Sequence, residues 1–199
     1  MKVIQKTELS DGFLIYLEDG SEIKVSEELY FTRYLYEAEE LSKEEIEEIR
    51  FRDKVMEAEI LCKKRLATGL KPERRLFEYL KAEGFDESQA KTALYNLEKD
   101  SYLDDYKLAL RKLRKKMNTS PLASKSLVLW LESQGIDSKT SGQAVEYMNI
   151  DDRETARSLM EKRLKKEDDI LKIVKYLASR GFEKDIIAEV TETEELWNV

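Results

Sequence analysis

The sequence predicts a mainly α-helical protein: three tandem three-helix repeats of helix-turn-helix type in an elongated curved array, preceded by a small N-terminal β-meander and a helix. Three observations predict it. The string "YLKAEGFD" at residues 79–86 returns as "WLESQGID" at 130–137 and as "YLASRGFE" at 176–183. The chain of 199 residues holds only 7 Gly and 2 Pro, and 39% of it is charged, which suits long helices with few irregular stretches. Short β-rich runs occur only at the front. The expected organisation is 1–51 for the meander and an acidic helical segment, then repeats at 52–102, 103–152 and 153–199.

At the front, "KVIQKTE", "GFLIYLE" and "SEIKV" read as three strands. Asp19-Gly20 predicts a two-residue hairpin turn between the second and third, and Ser10-Asp11-Gly12 a looser turn between the first and second. A helix is expected from about Ser26. Ser42 with Glu45 makes a capping box that opens the helix leading into the repeats.

Each repeat starts with a long helix, at 52–66, 103–117 and 153–164. In the middle one Leu103, Tyr106, Leu110, Leu113 and Met117 step by three and four, one helix face. The second helix carries Leu76, Phe77 and Leu80, then Leu127, Trp130 and Leu131, then Ile170, Val174 and Leu177. It ends at Gly84, Gly135 or Gly181, each read as the left-handed residue of a Schellman corner in which Leu80 meets Phe85, Leu131 meets Ile136 and Leu177 meets Phe182. Asp86 with Gln89, and Asp137, cap the third helices; Glu183 is a poorer cap. Ser120 and Pro121 are expected to start the second helix of the second repeat, whereas Lys71-Pro72 leaves its counterpart in the first repeat without a hydroxyl cap.

Charge is uneven. The formal net charge is −7, but residues 1–60 hold 17 acids and 8 bases, while residues 61–199 hold 25 acids and 27 bases. Bases gather at the ends of the first helices: Lys63-Lys64-Arg65; then Arg111, Lys112, Arg114, Lys115 and Lys116; then Lys162, Arg163, Lys165 and Lys166; in the middle helix Lys107, Arg111, Arg114 and Lys115 lie on one flank of the apolar stripe. No acid occurs from Tyr106 to Met117, so this strip suits phosphates or an acidic protein surface. The bland alternative is that cations complement a helix C-terminus, and this is the preferred reading for Lys63–Arg65. The pairs Asp104-Asp105, Asp151-Asp152 and Asp168-Asp169 do not make a magnesium site, because adjacent helical residues point about 100° apart. They read as helix starts. Trp130 shares its place with Tyr79 and Tyr176 and reads as core; Trp197 carries no reading.

The chain has no histidine, no Gly-rich phosphate loop and no metal-spaced cluster, which argues against an enzyme, a cofactor or a metal. A single cysteine, Cys62, excludes an internal disulfide and reads as an inert buried thiol in a reducing cytoplasm. No apolar run suits a membrane span, and the start lacks the apolar region of a secretory signal.

The three glycine corners, together with "NLEKDSYLDD" at 96–105 and "RGFEKDIIAEV" at 180–190, resemble the RecX regulators of the RecA recombinase. Members of that family place Gly-Tyr-(Leu/Ile)-Asp-Asp after the first repeat; here Ser101 replaces the glycine, and Tyr102, Leu103, Asp104 and Asp105 match. The resemblance implies a non-enzymatic, monomeric protein. It would bind the RecA filament on single-stranded DNA and modulate, by expectation inhibit, its assembly, ATPase and recombinase activity in DNA repair, homologous recombination and the SOS response. Direct contact with DNA stays open, as does the alternative of a stand-alone helix-turn-helix DNA-binding protein, against which the helices after the corners lack a base-reading face.

Overall fold

The structure is a computed structural model that describes residues 1–166 and 169–193. Three strands open it, β1 (Val3–Leu9), β2 (Gly12–Leu17) and β3 (Glu22–Val25), in an antiparallel sheet of order β1-β2-β3. The two turns reverse their expected roles. Leu9 pairs with Gly12, so Ser10-Asp11 is the tight one. Gly12 must be a glycine: at φ +146° a Cβ would lie 2.1 Å from the Val25 carbonyl oxygen. The Asp19-Gly20 turn is the longer one, because Leu17 N–H closes the ladder on the Ser21 carbonyl while the Asp19 carboxylate accepts from the Ser21 amide and hydroxyl.

The alternation of β2 and β3 turns Ile15, Leu17, Ile23 and Val25 onto one face. There they meet Leu29 and Tyr30 of α1 (Glu27–Thr32) and Ile46 and Ile49 of α2 (Lys43–Ala67). The capping box of Ser42 and Glu45 opens α2 as expected. This helix then runs unbroken through residues 51 and 52, where the sequence suggests a division between the front and the first repeat. The reason is packing. The first half of α2 serves the sheet core, and its second half, with Val55, Ala58 and Cys62, serves a separate helical core.

Behind it come α3 (Glu73–Ala82), α4 (Glu87–Lys99), α5 (Asp105–Thr119), α6 (Ser124–Ser133), α7 (Ser138–Tyr147), α8 (Asp152–Leu164), α9 (Ile170–Ser179) and α10 (Lys184–Thr191). The chain is mainly α, as the sequence predicts, with ten helices among the described residues. It divides into two compact units. One holds Met1–Leu70 and Arg75–Leu103; the other holds Lys71–Arg74 and the described residues from Asp104 onward. In the first unit Leu76, Leu80, Phe85, Ala93, Leu94 and Leu97 close the core begun by α2. In the second, α5–α7 bury Leu113, Leu127, Leu131 and Ala144, and α8–α10 bury Ala156, Ile173, Leu177 and Ile187.

Two helix starts move. The helix expected over 103–117 is α5, capped by Asp104; Leu103 stays outside it and belongs to the core of the first unit. The buried face of α5 is centred on Leu108, Ala109 and Leu113, with Tyr106, Leu110 and Met117 half-buried at its edges. Ser120 does not start α6. It ends α5, and α6 begins at Ser124 after Ala123, which offers no side-chain cap. The cap comes from elsewhere in the second unit, as the acid pairs show.

Candidate basic interface

All three glycine corners form. Gly84, Gly135 and Gly181 lie at φ +94°, +96° and +84°. The amides of Phe85, Ile136 and Phe182 donate to the carbonyls of Leu80, Leu131 and Leu177, and those of the glycines to Lys81, Glu132 and Ala178, the paired bonds of the Schellman arrangement. The third helices also end in left-handed residues, at Ser101 (φ +63°), Asn149 (+45°) and Glu192 (+53°). Ser101 completes a fourth Schellman corner, with Tyr102 N–H on the Leu97 carbonyl at 2.8 Å and Ser101 N–H on Glu98 at 2.9 Å.

The acid pairs divide their labour. The first acid caps its own helix: Asp104 accepts from Lys107 N–H at 2.8 Å, and Asp151 from the amides of Arg153 and Glu154. The second acid caps a helix about 28 to 32 residues earlier in the chain. Asp152 accepts from the Ser124 amide at 2.9 Å and from its hydroxyl at 2.9 Å. Asp105 accepts from the Glu73 amide at 3.1 and 3.2 Å, supplying the cap that Lys71-Pro72 lacks. Burial pushes the Asp105 carboxyl up to about 6, against the pull of that amide and with the nearby charges of Glu73, Asp137 and Asp104 adding to the rise. Asp169 caps its own helix through Leu171 N–H; Asp168 and Trp197 lie outside the described residues. No cluster of acids, Cys or His able to hold a metal occurs among the described residues.

The bases fall into two kinds. One base near the end of each first helix lies over the aromatic ring of the next: Arg65 over Tyr79 at 4.2 Å, Lys116 over Trp130 at 5.2 Å and Arg163 over Tyr176 at 5.2 Å. Such a contact holds two helices of a repeat together. Lys63 lies over Tyr102 at 4.9 Å in the same manner. Lys112 is half-buried, reaches Gln134 at 3.3 Å, and burial lowers its pKa. The other kind faces water. Arg111, Arg114 and Lys115 are exposed on α5 at helical spacing, with Lys107, whose ammonium meets Asp104 at 3.0 Å, at the head of the row. Lys162 near the end of α8, and Lys165 and Lys166 just past it, are exposed.

Lys162, Arg163 and Lys166 also line a pocket of 350 Å³ with residues 117–121, Leu159, Tyr176 and Arg180. Arg180 donates through Nη1 to the Ser120 hydroxyl and reaches the Pro121 carbonyl at 3.4 Å, and its guanidinium lies 5.0 Å from the centre of the Tyr176 ring. Cys62 takes no part: it is fully buried, and burial pushes its thiol up to about 11, so it is not a nucleophile near neutral pH.

A fold with these repeats and these cap-forming acid pairs has relatives. The chain is 28% identical over 196 residues to the regulatory protein RecX of Clostridioides difficile (strain 630), covering 95% of this chain and 92% of the relative. It is 24% identical over 182 residues to the regulatory protein RecX of Enterococcus faecalis (strain ATCC 700802 / V583), covering 88% and 68%. Over most of its length the chain is similar to RecX regulatory proteins. A crystal structure of a regulatory protein RecX superposes with a TM-score of 0.71 over 96% of this chain and 98% of the other, at 20% identity. RecX from Lactobacillus salivarius does so with 0.60 over 73% and 99%, at 23% identity. Both place the fold of this chain among RecX folds. No family model matches the chain.

Within this RecX fold, sequence reasoning brings together Lys162, Arg163 and Lys166 but misses Arg180. Its signal lies in the alignment of the corners: Glu83, Gln134 and Arg180 precede the three glycines, and only the third is a base. Sequence reasoning also gives Lys116 and Arg163 the same weight as Arg111 and Arg114. The aromatic repeat Tyr79, Trp130, Tyr176 holds the information that separates them, once it is paired with Arg65, Lys116 and Arg163.

Proposed function

We propose that this RecX-family chain binds the RecA filament on single-stranded DNA and restrains its assembly, ATPase and recombinase activity, as a cytoplasmic monomer without an enzymatic activity of its own. The observation that carries the reading is the acid-free row of exposed bases on α5, Lys107, Arg111, Arg114 and Lys115, joined by Lys162, Lys165 and Lys166 at the end of α8 and just past it. Regulatory protein is also the name its relatives bear. Long side chains with charged heads in water attract a phosphate-rich or acidic surface over a distance of about 10 Å at moderate salt. They present no base-reading set of Arg and Asn, which fits a polymer recognised by backbone and shape.

The test is the ATPase of RecA on single-stranded DNA, titrated with this chain. Hydrolysis is expected to fall at sub-stoichiometric to stoichiometric amounts of the chain relative to RecA. Unchanged hydrolysis together with tight binding to duplex DNA would replace this reading with a stand-alone DNA-binding protein.

A further inference from the structure

The pocket beside Arg180 contains more positive charge than the fold needs. Four cations line it, Lys162, Arg163, Lys166 and Arg180, and among the described residues no carboxylate lines it. Two of them are guanidinium groups gathered on one ring, with Arg163 at 5.2 Å and Arg180 at 5.0 Å from the centre of Tyr176. The Ser120 hydroxyl and Pro121 carbonyl fix Arg180 in place. The backbone fixes it too, since the Arg180 carbonyl accepts from Ala123 N–H at 3.1 Å. The Nε–H of Arg163 is buried and meets no acceptor among the described residues. A buried donor without a partner is costly, and like charges held together raise that cost. An anion with several acceptor oxygens relieves both. The end of α5 opposes an anion with about half an elementary charge, which four cations outweigh.

We infer that this pocket binds a phosphate group, held in the fork of Arg163 and Arg180 and approached by Lys162 and Lys166. The planar guanidinium offers two parallel N–H donors to two oxygens of one phosphate, which an ammonium does not. The Asn118 amide and the Ser120 hydroxyl, at the same pocket, add neutral polar groups. The inference deepens the reading above and rests on it for taking the bases at and just past the end of α8 as a binding surface. The exposed row on α5 steers; this pocket is the place where one phosphate is gripped. A phosphate reaches it either as part of a nucleic-acid backbone or as a free phosphate compound.

The experiment uses the full chain, labelled with nitrogen-15, and reads the Nε–H resonances of its arginines. Inorganic phosphate is added at constant ionic strength, and an oligothymidylate is then added to the phosphate-loaded protein. The Arg163 and Arg180 signals are expected to shift and saturate, while that of Arg111 stays near its starting place. Lys166→Ala, at an exposed side chain, is expected to weaken phosphate binding about threefold, and Arg180→Gln about tenfold or more. Displacement of phosphate by the oligonucleotide assigns the nucleic-acid backbone as the source; persistence of phosphate assigns free phosphate compounds. Arg163 and Arg180 signals that move with neither probe, or that drift without saturating, overturn the site. RecA is absent from this titration, so failure here leaves the filament reading to its own assay, and failure there leaves the pocket intact.

Discussion

Helices α6 and α9 hold the same place in successive repeats, yet they begin differently. The first amide of α6 and the Ser124 hydroxyl are held by Asp152, which sits on the first helix of the following repeat. The start of α9 is held by Asp169, its own neighbour, through one amide at 3.0 Å. Around the start of α6 the next repeat adds further grips: Ala123 N–H on the Arg180 carbonyl, Ser126 against Gly181, and Lys125 paired with Glu183. The difference teaches where this chain joins one repeat to the next. The third repeat caps the middle helix of the second and, with no successor among the described residues, caps its own. Atypical terminal units are a general property of repeat folds.

Substitutions at these places break or sharpen the contrast. The largest effect is expected at Gly181. A Cβ there would lie 1.8 Å from the Ser126 hydroxyl oxygen and 2.9 Å from its Cβ, on top of the left-handed backbone. Gly181→Ala is expected to cost about 2–4 kcal/mol by chemical denaturation. Gly84→Ala, with open space around the new methyl, is expected to cost about 1–2 kcal/mol for the backbone alone. Equal losses at the two glycines would remove Ser126 from the join.

Smaller effects follow at the caps. Asp152→Ala leaves the Ser124 amide and hydroxyl without their acceptor and is expected to cost about 1–2 kcal/mol. Asp169→Ala is expected to cost about 0.5–1 kcal/mol, because α9 loses one bond at an exposed start. Thermal melts of the pair rank the two; an inverted order would show that the cap across repeats is not the stronger one.

Much of this is legible in residues. The glycine corners can be read because only a residue without Cβ sits easily at positive φ, and the paired Leu and apolar residues on either side mark the Schellman contact. The left-handed ends at Ser101, Asn149 and Glu192 are not legible as a set, because three different residue types bear the same backbone strain. The acid pairs Asp104-Asp105 and Asp151-Asp152 read as helix starts rather than as a metal site, and they cap helices in the fold. Which helix each acid caps depends on tertiary placement: Asp152 reaches back 28 residues to Ser124, and no local rule carries that far. For the same reason Ser120 looks like the cap of α6 in the sequence and yet ends α5. The turns at the front reverse for a similar reason, since the close approach of Gly12 to Val25 is a contact between strands that neither turn sequence displays. Among the bases, the strip on α5 is visible from charge alone. The division into stacked and solvent-facing cations needs the rings of Tyr79, Trp130 and Tyr176 in place.

We propose that the solvent-facing bases of α5 supply the long-range attraction that brings the chain to the polymer. The measurement is the salt dependence of binding to RecA-coated single-stranded DNA, compared between the unaltered chain and a variant with Lys107, Arg111, Arg114 and Lys115 all changed to Ala. Expected are weaker binding, a shallower dependence of affinity on salt by roughly 0.7–0.9 in log–log slope for each phosphate that the variant no longer neutralises, and an unaltered melting curve. An affinity and slope equal to those of the unaltered chain, in a folded variant, would contradict this role.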